Sequence, residues 1–100
     1  MATVNVIFGK MVPNGVLMGA QPSGIEDVTS SGTSAKTTMT AKTGDAAQVT
    51  ASGGAVRVAF GPDPDNDRTV AATDTILILD GQTREFGGLQ NGDKCYVIDN

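Results

Sequence analysis

The fold is decided by the stretch Ala55-Val56-Arg57-Val58-Ala59-Phe60, which follows two glycines and leads into an acidic loop. Apolar residues alternate along it with period two, as expected for a β-strand with one buried face. Val56, Val58 and Phe60 share the face that we expect in the core. Arg57 lies on the opposite face, where we expect solvent, another strand or a partner.

Seven further segments carry strand patterns: residues 3–8, 25–31, 35–42, 46–51, 76–79, 82–86 and 94–98. Residues 76–79 read Ile-Leu-Ile-Leu, a run that predicts a strand buried on both sides or covered by a neighbour. Asp80-Gly81 after it predicts a hairpin-type turn. The sequence has about eight short strand patterns separated by Gly-rich turns, and it has no amphipathic helix. This combination predicts an all-β fold. We therefore expect a small antiparallel β-sandwich, jelly-roll or Ig-like, or a barrel.

The chain is predicted to be a single domain, with an N-terminal strand and extended arm at residues 1–24 and a sandwich body at 25–100. Of its 100 residues only 4% are aromatic, so large core anchors are few. A thin core without a disulfide framework predicts that oligomerisation or docking on a larger body adds stability. The first eight residues lack the basic and apolar regions of a signal peptide, so we expect synthesis in a cytoplasm.

Charge and residue types exclude several function classes. The net charge of −4 argues against a nucleic-acid binder, which needs a basic patch. The absence of histidine removes Ser-His-Asp and Cys-His catalysis and imidazole metal sites. Cys95 is the only cysteine, and we expect a buried strand residue there rather than a nucleophile. We therefore predict no enzyme, no cofactor and no membrane partner.

One candidate metal site lies in the acidic loop. Asp63, Asp65 and Asp67 place carboxylates at alternate positions, as at the start of a calcium-binding loop. The required glycine is replaced by Arg68, and the twelfth position holds Asp74 instead of a bidentate glutamate. The alternative is a solvated turn rich in Asp, Asn and Pro.

A resemblance emerges in the second half of the chain. Residues 57–61 (Arg-Val-Ala-Phe-Gly), 73–79 (Thr-Asp-Thr-Ile-Leu-Ile-Leu), Phe86 and 92–98 (Gly-Asp-Lys-Cys-Tyr-Val-Ile) follow one another around a Pro/Asp loop and a turn. This series resembles the small β-sandwich decoration, or cement, proteins of tailed-bacteriophage capsids. Residues 79–82 depart from the family pattern, which often has Pro-Ala-Gly after the apolar run.

The resemblance implies a structural virion protein that binds the exterior of an assembled capsid and clamps neighbouring coat subunits. It implies the major capsid protein as partner, a homotrimer, and localisation in the virion after synthesis in the host cytoplasm. The alternatives are another virion component (tail, head-fibre base or connector) or a calcium- or sugar-binding module. The residues that we expect at contacts with partners lie in the front segment, on the 55–60 strand and in the acidic loop: Val4, Val6, Phe8, Met11, Val12, Leu17, Met18, Arg57, Asp65 and Arg68.

Overall fold

The computed structural model describes residues 2–10, 24–33, 35–62 and 75–100. The described chain is all-β. Its eight strands are β1 Thr3–Lys10, β2 Gly24–Thr29, β3 Ala35–Lys36, β4 Asp45–Ser52, β5 Val56–Pro62, β6 Ile76–Ile78, β7 Thr83–Phe86 and β8 Asp93–Asp99. Within these ranges, no helix has the length and apolar character needed to cross a membrane.

The strands form two four-stranded antiparallel sheets. Sheet A has the order β2-β1-β4-β7, and sheet B has the order β3-β8-β5-β6. Three strand pairs enclose one another in sequence: β5 pairs with β6, the strands on either side of them, β4 and β7, pair with each other, and so do β3 and β8. β1 pairs with β2. A nested ladder wrapped into two sheets is a jelly-roll arrangement. An Ig-like sandwich would instead place its first, second, fifth and fourth strands in one sheet.

The core lies between the two sheets and consists mostly of valine and alanine. Val4, Val6 and Phe8 of β1 face Val56 and Val58 of β5 across one continuous buried cluster. Ala47, Val49 and Ala51 of β4, and Cys95 and Val97 of β8, belong to the same cluster. Phe60 packs at its margin, where its ring centroid lies 5.0 Å from that of Phe86. The predicted core face of residues 55–60 is therefore confirmed.

The first strand is an internal element of sheet A. β1 pairs with β2 on one side and with β4 on the other, from Thr3↔Ser52 to Lys10↔Asp45. Residues 3–10 therefore belong to the sandwich, and the predicted division at residue 24 separates two strands that the structure pairs. Residues 11–23 lie outside the described ranges.

Three local expectations need correction. In the predicted strand 35–42, the structure pairs only Ala35–Lys36 with β8 as a strand. The amide of Thr37 still donates to the Cys95 carbonyl at 3.0 Å, and the amides of Thr38 and Met39 then donate to the Glu26 carboxylate. The run 76–79 is not buried on both sides: among the described strands β6 pairs with β5 alone and lies at the edge of sheet B, and Leu79 is 54% exposed. Asp80-Gly81 does form a turn, with Gly81 at a φ of +80° that favours glycine. That turn joins β6 of sheet B to β7 of sheet A, so it is not a hairpin.

Candidate functional site

The structure places three of the predicted contact residues inside the protein's own core. Val4 and Val6 are 0% exposed and Phe8 is 1% exposed. Their side chains fill the space between the sheets and are unavailable to a partner in this fold. The reason lies in the topology, because β1 is flanked on both sides and its apolar face meets sheet B. The period-two pattern correctly placed these three side chains on one face of β1, but it did not show that sheet B covers that face.

Arg57 lies on the outer face of sheet B, as its alternation with Val56 and Val58 requires. Its Nε donates a hydrogen bond to Asn100 Oδ1 at 2.9 Å. The other predicted contact and metal residues lie outside the described ranges: Met11, Val12, Leu17, Met18, Asp63, Asp65, Asp67 and Arg68.

The described carboxylates hold the chain's own turns and loops. Asp45 Oδ2 accepts from the amide of Lys42 at 3.0 Å, and Asp93 Oδ2 accepts from the amide of Gln90 at 2.9 Å. Asp80 Oδ1 accepts from the amide of Gly53 at 2.9 Å and so joins two turns. Among the residues that the structure describes, no group of three or more His, Cys, Asp or Glu side chains could hold a metal ion.

Cys95 is a core residue. Its side chain is fully buried in the apolar cluster, and burial raises the pKa of its thiol. A thiol of this kind carries negligible thiolate and is a poor nucleophile. The predicted burial is confirmed.

Glu26 closes the sandwich at the β2–β3 side, a role that sequence reasoning missed. Its carboxylate accepts from the amide and hydroxyl of Thr38 at 2.9–3.0 Å and from the amide of Met39 at 3.1 Å. Desolvation alone would raise the pKa of Glu26. The bonds from Thr38 and Met39, aided by the charge of Lys94, outweigh it and lower the pKa below its ordinary value of 4.5. We call this arrangement the Glu26 clasp, since it joins β2 of sheet A to the loop after β3 of sheet B.

A second polar cluster joins the two termini of the described chain. The Ala2 amide donates to Ser30 Oγ at 2.8 Å, and the Ser30 hydroxyl donates to the Asp99 carboxylate. This last bond lowers the pKa of Asp99 against the opposing effect of desolvation. The cluster fastens the start of β1 and the end of β8 to the same serine.

The outer face of sheet A is polar, broad and open. Cross-strand register sets its side chains in three rows. The rows are Thr29–Thr3–Ser52, Asp27–Asn5–Thr50–Thr83 and Ile25–Ile7–Gln48–Glu85. Within the second row Asn5 Nδ2 donates to Asp27 Oδ1 at 2.9 Å, and the Thr50 and Thr83 hydroxyls lie 2.7 Å apart. None of the eleven side chains in these rows is Lys or Arg, and Ile25 is 60% exposed.

The outer face of sheet B differs in exposure and in charge. Ala59 and Tyr96 are cross-strand partners on that face and lie outside the core cluster, yet they are only 5% and 1% exposed. Among the described residues, the charged side chains on this face are those of Lys36, Arg57 and Lys94, and all three are cationic.

The exposed large apolar side chains of the described chain are Ile25, Ile76 and Leu79. The last two lie at the β6 edge. Side chains there already engage the backbone: Gln82 Oε1 accepts from the amide of Leu79 at 2.9 Å, and Arg84 donates to the Leu77 carbonyl at 3.4 Å. Covering edge groups in this way protects a sheet against pairing with other chains.

No protein-family model, curated protein or solved structure matches this chain. The resemblance to capsid decoration proteins therefore stays a prediction based on the residues quoted above.

Proposed function

We propose that the protein is a structural virion component, a decoration protein that binds the exterior of an assembled phage capsid and clamps neighbouring coat subunits. Its direct partner is then the major capsid protein, and it acts as a homotrimer without enzymatic activity or a cofactor.

The observation that supports this proposal best is the location of the residues that carry the resemblance. Residues 57–61 lie in β5, residues 76–78 form β6, and residues 93–98 lie in β8. β5 and β8 pair along seven residues, from Val56↔Asp99 to Pro62↔Asp93. Phe86 meets Phe60 of the same set. Residues that are spread over half of the sequence thus lie together in sheet B, with Phe86 packed against its Phe60. Such clustering is expected of a family's structural motif.

The distribution of polar groups also favours a binding role over catalysis. In the described chain, carboxylates at positions 26, 27, 45, 80, 93 and 99 each accept a hydrogen bond from the protein itself. An acid–base site needs carboxylates directed at a substrate, whereas these organise turns, strands and loops.

The mechanism of capsid stabilisation is linkage. A protein that binds only the assembled lattice shifts the equilibrium toward that lattice by mass action. Several weak contacts from one oligomer then add avidity without strong individual contacts.

The test compares particles that contain the protein with particles that lack it, from the virus whose genome encodes this chain. We expect particles without the protein to disrupt at lower temperature, and purified protein to restore resistance at a copy number close to that of the coat protein. The low copy number of a ring would instead identify a tail or connector component. Failure of the purified protein to bind particles would overturn the proposal.

The calcium alternative has its own test, because its residues Asp63, Asp65 and Asp67 lie outside the described ranges. A rise in melting temperature on adding millimolar calcium, reversed by chelation, would favour it. We expect no such rise.

A further inference from the structure

We infer that the outer face of sheet A is the docking surface, and that its occupant is a protein surface carrying lysine or arginine around an apolar contact point. This inference rests on the proposed function, because it identifies which face of the sandwich meets the coat lattice and what chemistry the coat presents there.

Exposure singles out this face among the described surfaces. On sheet B, the outer-face pair Ala59 and Tyr96 is buried and offers little side-chain surface. At the β6 edge, Gln82 and Arg84 occupy backbone groups that strand addition would need. The three rows of sheet A remain half-buried or exposed, and their hydrogen bonds run along the face. They form an accessible platform on which hydrogen bonds already position several side chains.

Charge indicates the kind of partner. The face carries Asp27 on the β2 edge and Glu85 on the β7 edge, with no lysine or arginine in its rows. Three strand spacings of about 4.8 Å separate the two edges, so the carboxylates lie roughly 14 Å or more apart. The two carboxylates therefore lie at opposite edges of the face, too far apart to bind one metal ion together. Acids at a rim favour a partner with complementary positive charge and speed its approach.

Ile25 provides the apolar contact point. It is 60% exposed, and its cross-strand neighbour Ile7 is half-buried beside it. Ile25 lies on the β2 edge of the face, two residues from Asp27, so an apolar contact and an acidic side chain adjoin each other there. Exposed large apolar side chains next to polar groups are typical contact points of protein interfaces.

The same charges argue against a second copy of this chain as the occupant. Two such faces in symmetric contact would bring carboxylates together without a cation in their rows. The rows also cover only about 300 Å², by strand spacing and residue rise, against about 800 Å² per partner in a standard stable interface. A contact of this size is weak alone and becomes useful when many copies bind a repeating lattice.

The test uses two matched variants of the full chain. Ile25→Lys changes the exposed anchor on sheet A, and Leu79→Lys changes a similarly exposed residue at the end of β6. Both add one positive charge, and melting curves confirm that both fold. Binding to particles lacking the protein is measured by cosedimentation. We expect Ile25→Lys to weaken binding at least about tenfold and Leu79→Lys to change it less than about twofold.

A third variant tests the charge argument. Glu85→Gln should weaken binding about threefold at low salt and very little at high salt, because salt screens exposed charges.

The outcomes separate the inference from the proposed function. If the unmodified protein fails to bind particles, the proposed function fails. If it binds and both lysine variants bind equally well, or Leu79→Lys is the weaker one, the sheet A face is wrong and the function stands. Light scattering completes the test: an oligomer that Ile25→Lys dissociates would make this face a contact between copies and overturn the inference.

Discussion

The two outer faces of this sandwich have similar strand numbers but opposite characters. The sheet A face carries mostly polar and acidic side chains, all of which are half-buried or exposed. The sheet B face buries an aromatic residue, Tyr96, outside the core between the sheets. The sheet B face therefore contributes to stability by burial, whereas side chains on the sheet A face can change with little loss of packing. If the sheet A face is the docking surface, as we propose, mutations should separate binding from stability.

The largest effect is expected for Tyr96. Tyr96→Ala removes a buried aromatic side chain and should lower the free energy of unfolding by about 3–4 kcal/mol. Asn5→Ala, on the sheet A face, removes an exposed hydrogen bond to Asp27 and should cost about 0.5 kcal/mol. Urea unfolding of both variants measures the difference. Similar losses would show that the two faces do not differ as described.

The next effect concerns the Glu26 clasp, which joins the two sheets and so fixes both faces. Glu26→Gln weakens the bonds to Thr38 and Met39 and should lower the free energy of unfolding by about 1–2 kcal/mol at pH 7, allowing for partial exposure. Glu85→Gln, at an exposed position on β7, is the matched control and should change stability by less than about 0.5 kcal/mol.

The clasp also predicts a pH dependence with a definite sign. The pKa of Glu26 is lowered in the folded state, so its contribution is complete above the ordinary value of 4.5 and is lost as pH falls through the folded pKa. Unfolding measured from neutral to acid pH should therefore show a loss of stability below about 4.5 that is smaller in Glu26→Gln. An unchanged acid profile in that variant would argue against the clasp.

A smaller effect is expected from the threonine pair on the sheet A face. Thr50→Val and Thr83→Val each remove one hydroxyl of the 2.7 Å pair. The double-mutant cycle should give a coupling of about 0.5 kcal/mol. A coupling near zero would mean that the row has no internal order, which would weaken the case for a positioned platform.

The smallest effect on stability is expected at Ile25. Because it is 60% exposed, Ile25→Thr should change the free energy of unfolding by less than about 0.5 kcal/mol. Ile78→Thr, at a fully buried position of β6, is the contrasting variant and should cost several times more. A large loss in Ile25→Thr would show that this residue serves packing and not recognition.

The sequence predicted the strands well because their signal is local. Alternation over residues 3–8 and 55–60 identifies both strands, and the structure confirms the predicted core positions of Val56 and Val58. Val4, which the sequence predicted at a partner contact, lies in the core instead. What covers a face is not local. A run of four apolar residues such as 76–79 can occur in a central strand or in an edge strand. The strand pairing shows which it is: among the described strands β6 has β5 as its one neighbour, so it is an edge strand.

The missed site shows the same limit. Glu26 shares the inward side of β2 with Val28, and a carboxylate in that register needs hydrogen-bond donors. That signal is visible in the sequence. The identity of the donors, Thr38 and Met39, depends on how β3 turns away from sheet B after two residues. The amides of Thr38 and Met39 donate to Glu26 instead of β8, which interrupts the predicted strand 35–42 after the bond from the Thr37 amide to the Cys95 carbonyl.

The most direct test of the proposed role is a cryo-electron microscopy map of the parent particle at a resolution that distinguishes the two sheets. We expect density for this sandwich on the capsid exterior, with the outer face of sheet A toward coat lysine or arginine side chains and Ile25 in the contact. Absence of the protein from the capsid exterior would contradict the proposed function. Its presence there with sheet A facing solvent would contradict the assigned docking surface.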